Sequence, residues 1–123
     1  MMGLGGVTYG PFVFTPTASG KVMFVISGGV SGSVAASTIF LNVRYGTGIA
    51  PPNGALPTGG TSAGIGFTRG GAGNAAAQMN FFTMPLVLTG LTVGTQLWFD
   101  LSLAVSSGNA NLTGCFFSAV EIP

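Results

Sequence analysis

Residues 88–123 read LTGLTVGTQLWFDLSLAVSSGNANLTGCFFSAVEIP, and this stretch decides the fold. In its middle, Leu97, Phe99, Leu101, Leu103 and Val105 alternate with Trp98, Asp100, Ser102, Ala104 and Ser106. A period of two over ten residues marks a strand with one face in a core. Ser107, Gly108 and Asn109 follow, and Gly and Asn tolerate the positive φ of tight turns. A return strand is expected from about Ala110 to Ile122. Together the two strands predict a long closing hairpin that ties the C-terminus into a sheet.

Working outward, Phe12-Val13-Phe14-Thr15 is a short strand between Pro11 and Pro16, a setting that suits a sheet edge. Residues 21–27, KVMFVIS, are apolar at nearly every position and predict a strand covered on both faces. Residues 28–33, GGVSGS, suggest a turn or bulge. Residues 37–45, STIFLNVRY, alternate again, and residues 80–88, NFFTMPLVL, form a strand that Pro85 marks as an edge or bend. Between these lies a 34-residue stretch, 46–79, with ten Gly, seven Ala and three Pro. So long a span without structure is unusual in a compact domain, so a strand is expected at 64–69, GIGFTR, flanked by recognition loops. No window combines helical periodicity with caps. The expectation is all-β: an antiparallel β-sandwich or jelly roll of about eight strands over residues 11–123, preceded by a Gly-rich arm at 1–10.

Charge is the second informative feature. Lys21, Arg44, Arg69, Asp100 and Glu121 are the only charged residues, 4% of the 123, where about 25% is usual. A monomer of this size exposes roughly 6,000 Å², so each charge would serve about 1,200 Å² of surface. Surfaces so depleted resemble the centres of obligate interfaces, and oligomerisation follows as an expectation. The net charge of +1 offers no basic footprint for nucleic acid and no polybasic patch for lipid. No run of 18 apolar residues is present, and the alternating segments fill only about half of an eight-stranded membrane barrel. Neither a nucleic-acid nor a membrane partner is expected.

Catalytic chemistry finds few candidates. There is no His, which removes the commonest general base and metal ligand. Asp100 and Glu121 are each the only acid in their segment, and they read as exposed or ion-paired rather than as a glycosidase pair. Arg44 and Asp100 are candidates for an ion pair that fixes register or subunit packing. Cys115, alone, reads as a buried structural thiol. The Gly-rich segments fail as phosphate loops: Val22 follows Gly20-Lys21, and Arg69 stands where a third Gly would be needed. Asn111-Leu112-Thr113 is a glycosylation triplet of low specificity. Trp98 reads as core or subunit contact before sugar platform. Tyr45, Trp98, Phe99, Phe116 and Phe117 are therefore core or interface candidates, with no catalytic, cofactor or metal residue expected.

Thr89-Gly90-Leu91, Gly94-Thr95, Trp98-Phe99-Asp100 and Ser118-Ala119-Val120-Glu121 resemble the closing strands of small β-sandwich heads in bacteriophage structural proteins. Residues 44–54, RYGTGIAPPNG, are similar to a strand-end and loop of the same group, so about half the chain is covered. The resemblance implies a jelly roll like those of tumour necrosis factor and complement heads, assembled as a tight homotrimer on a virion. Receptor-binding heads of that group sit on long fibres, and these residues hold no stalk repeat or coiled coil. The expectation is thus a non-enzymatic capsid decoration (cement) or head-fibre protein on the capsid exterior. Its partners would be itself and the major capsid protein or another virion protein. A receptor- or carbohydrate-binding head of a tail or fibre is the alternative.

Overall fold

The computed structural model describes residues 12–52, 56, 58–69 (64–69 as backbone) and 75–123. The arm expected at 1–10 lies outside the described residues. Seven strands are found rather than about eight: β1 (Phe12–Phe14), β2 (Val22–Gly32), β3 (Ile39–Thr47), β4 (Thr61–Arg69), β5 (Asn80–Leu88), β6 (Leu97–Val105) and β7 (Ala110–Glu121). All pairings are antiparallel, and no helix occurs among the described residues.

The strands divide into a four-stranded sheet, β1-β6-β3-β4, and a three-stranded sheet, β5-β2-β7. Three pairs are nested along the chain, β1 with β6, β2 with β5 and β3 with β4, like rungs of one long hairpin rolled into two layers. Contact between β3 and β6 completes the larger sheet, and β7 adds to the free side of β2.

This arrangement corrects the closing hairpin. β6 and β7 do not pair; they belong to different sheets, and residues 106–109 carry the chain from one layer to the other. Both edges of β6 are already taken by β1 and β3. Gly108 does adopt φ +69°, and Ser33 N–H donates to the Asn109 carbonyl at 2.8 Å. The turn chemistry is real, but it serves a bend between layers equally well.

The core lies between the sheets. Phe24, Ile26, Val30, Ile39, Leu41, Val43, Phe82, Met84, Leu86, Phe99 and Leu101 are all buried there. Phe24 of the smaller sheet stacks on Phe99 of the larger at 4.5 Å, and Phe117 lies 5.1 Å from Phe12 and 5.2 Å from Phe24. Such ring pairs contribute about 0.5–1.5 kcal/mol beyond their buried area, so one aromatic cluster fixes how the layers stack.

Further expectations are refined. Of the turn or bulge expected at 28–33, the bulge is what occurs: β2 continues through Gly28 and Gly29 to Gly32, with a bulge against β7 between Ser27 and Gly29. A Cβ on Gly28 would stand 2.8 Å from Cys115 Sγ, which explains a glycine there. The KVMFVIS segment is covered on one face only. Val22, Phe24 and Ile26 are fully buried, whereas Met23 is 42% exposed and Val25 and Ser27 are partly exposed. The strand buried on both faces is β6, where Leu97 to Leu101 are buried without interruption. The strand expected at 64–69 is present as part of β4, and β1 and β5 hold edge positions.

Candidate functional site

Strand pleating splits the remaining side chains between the two outer faces, and these faces differ in kind. On the outer face of the four-stranded sheet, Trp98 is 4% exposed and Asp100 2%. The chain between β3 and β4 covers Trp98. A Cβ on Gly46 would lie 2.7 Å from Trp98 Cζ2, and a Cβ on Gly60 (φ +67°) would collide with the ring and with the Tyr45 carbonyl. Trp98 Nε1 donates to the Thr47 carbonyl at 3.2 Å. Arg44 secures the far end of the connection, its guanidinium donating from Nε to Gly59 O at 2.7 Å and from Nη2 to Gly60 O at 2.9 Å. Arg44 and Asp100 stand directly opposite in the β3–β6 register, so they share this face. Asp100 Oδ1 accepts from the Leu101 N–H at 2.8 Å. An open cleft of about 490 Å³ runs beside Tyr45, Ile49, Pro51 and Trp98.

The outer face of the three-stranded sheet has no such cover among the described residues. In register across it lie Val87, Met23 and Val120; then Pro85, Val25 and Ser118; then Thr83, Ser27 and Phe116; then Phe81, Gly29 and Thr113. Phe81 is 83% exposed and Phe116 71%. A groove of about 510 Å³ passes between them, lined also by Met79 and Thr113. None of the twelve residues in those rows carries a charge. At its rim stand Lys21, one residue before β2, and Glu121, which ends β7.

A third feature is Glu121, at the end of β7. Its Oε2 accepts from Thr17 N–H at 2.7 Å and Oε1 from Ser19 N–H at 2.6 Å and Gly20 N–H at 2.9 Å. Ala18 N–H reaches Oε1 at 3.0 Å, and the Thr17 hydroxyl reaches Oε2 at 3.0 Å. Successive N–H groups turned inward in this way form a concave anion nest. The Thr17 amide first, with those of Ala18, Gly20 and Ser19, holds the carboxyl well below its ordinary range, at about 2, against a smaller upward push from desolvation. Sequence reading took Glu121 for an exposed or ion-paired acid and missed the nest. The signal was there in Thr17-Ala18-Ser19-Gly20, where small residues and a positive-φ glycine (Gly20, +65°) let consecutive amides converge.

The sequence candidates separate accordingly. Phe99 is core, Phe117 and Tyr45 pack on the core's margin, Trp98 is covered by its own chain, and Phe116 points outward. With its ring enclosed, Trp98 offers no stacking face to a sugar. Asp100 and Glu121 lie in different sheets, and the nest engages Glu121, so the two carboxylates do not converge. Among the described residues no three His, Cys, Asp or Glu side chains cluster as metal ligands. Cys115 is partly buried, and burial pushes its thiol up to about 11, away from thiolate reactivity. Comparison with protein families, with curated proteins and with solved structures finds no match.

Proposed function

We propose that this chain is a non-enzymatic structural protein of a bacteriophage particle, a homotrimeric jelly roll that decorates and stabilises the capsid exterior. One observation carries the reading: a broad apolar sheet face with no charge in its middle, on a chain with almost no charge anywhere. Such a surface serves assembly better than dispersal. Two further features support it. Jelly rolls are double-sheet antiparallel folds, and the two antiparallel sheets here, β1-β6-β3-β4 and β5-β2-β7, with three nested pairs, support that reading. The sequence resemblance to phage head domains points the same way. Stabilisation would act by mass action, because a protein that binds only the assembled shell shifts the equilibrium toward it.

Quantified protein bands and gold labelling of purified particles test the proposal. Hundreds of copies spread over the shell are expected, and absence from the particles would overturn it. A few copies at one vertex or tail tip would favour the second reading, a receptor- or carbohydrate-binding head. The open cleft beside Tyr45 and exposed Ile49 is the feature that favours that reading.

A further inference from the structure

We infer that the outer face of the β5-β2-β7 sheet is the surface through which copies of this chain associate. The inference deepens the oligomeric part of the proposed function and does not depend on a virion location.

Strand β2 supplies the first argument. Its residues are apolar on both sides, the pattern of a strand buried on both faces. The chain covers Val22, Phe24 and Ile26 on the inside and leaves Met23 and Val25 on the outside. On the larger sheet the outward aromatic of β6, Trp98, is covered internally, by the segment that closes over it. The outer side of β2 has the composition of a buried surface, and among the described residues nothing from its own chain covers it.

Area supplies the second. Met23, Met79, Phe81, Val87, Phe116 and Val120 are each more than a third exposed. With Phe side chains offering about 150–250 Å² apiece and Val or Met about 60–120 Å² by their transfer energies, these six present roughly 500 Å² of apolar surface at their exposures. That lies in the upper half of the range for the largest patches on ordinary monomers, about 300–600 Å². It is also more than half of the roughly 800 Å² per partner of a stable interface, before Pro85, Val25 and Ser118 between them are included.

Charge supplies the third and selects the occupant. A partner bearing ordinary surface charge would have to bury it against a face with nothing to pair with it. A second copy brings five charges in its whole length, and Lys21 and Glu121 stand only at the rim of this face. In a threefold ring the contact is heterologous, so the face need only meet another uncharged surface of the same chain.

The test is the native mass of the purified full chain by light scattering, for wild type, Phe81→Asp, Phe116→Asp and the control Phe40→Asp. Phe40 is 49% exposed on the outer face of the other sheet. Wild type and Phe40→Asp are expected at a multiple of 12.2 kDa, and the other two at the monomer mass with unchanged circular dichroism. A monomeric wild type overturns the inference. So does dissociation by Phe40→Asp while Phe81→Asp and Phe116→Asp stay assembled. Should either Asp variant fail to fold, Ser118→Cys in a Cys115→Ser background gives a second readout. Its thiol is expected to resist maleimide at high protein concentration and to react at least tenfold faster on dilution, and equal rates at both concentrations overturn the inference. Absence from phage particles would leave these masses untouched, so the two proposals fail separately.

Discussion

Two aromatic side chains, Trp98 and Phe116, both point away from the core, one from each sheet. Trp98 is enclosed, because Gly46 and Gly60 let the β3–β4 connection lie flat on its ring and Arg44 fastens that connection down. Phe116 stands open beside Phe81. Both strands place an aromatic outward beside small or polar residues, so the outward aromatic alone does not separate the two cases. What separates them is the presence of a connection long enough and small enough in its side chains to fold back. An outward aromatic signals that a surface needs covering; it does not say whether the same chain or another provides the cover.

The comparison breaks most visibly at Trp98. Trp98→Ala empties a site that the connection cannot refill, and is expected to cost about 3–5 kcal/mol in urea denaturation. A loss under about 1 kcal/mol would show that the cover does not depend on the ring. Next is Gly60→Ala, which adds a Cβ against Trp98 and the Tyr45 carbonyl at a positive φ, at about 1–3 kcal/mol. Gly90→Ala is its control, with a similar φ of +71° but open space around it; its thermal midpoint should fall by less than that of Gly60→Ala. Equal losses would assign the effect to backbone conformation alone.

Glu121 gives a smaller, pH-dependent effect at the end of the three-stranded sheet. Its carboxyl is lowered from 4.5 to about 2 in the folded chain. Below the folded value both states hold the proton, and above 4.5 neither does. The contribution is therefore complete above about pH 4.5 and declines as pH falls toward 2. Glu121→Gln should flatten the stability profile across that window, and an unchanged acid limb would show that the nest is not what titrates. The smallest change is expected of Phe116→Ala in dilute solution, within about 0.5 kcal/mol of wild type. At high concentration wild type should gain stability by self-association and the variant should gain less. A variant equally destabilised at both concentrations would return Phe116 to the monomer's own packing.

Much of this molecule was legible from residue order alone. Alternation located the body of β3 and β6, strands were expected where β5 and β7 lie, Pro85 marked an edge or a bend, and Gly108 marked a change of direction. Those features depend on neighbours in sequence, where side-chain period and backbone φ act directly. Partner choice was not legible. The turn after Val105 has the chemistry of a hairpin, yet β7 crosses to β2 because β1 and β3 already flank β6. The doubly apolar β2 suggested two covered faces, and the fold supplied one. Small residues and Gly20 marked 17–20 as a tight turn, but that its amides converge on Glu121, about a hundred positions away, was not legible from either segment alone. By itself the sequence determined an all-β chain with very little charge, because composition and period are local sums. Only the tertiary structure decided which edge meets which and which apolar face is left over. Strand pairing is a competition among distant segments that carry much the same alternation.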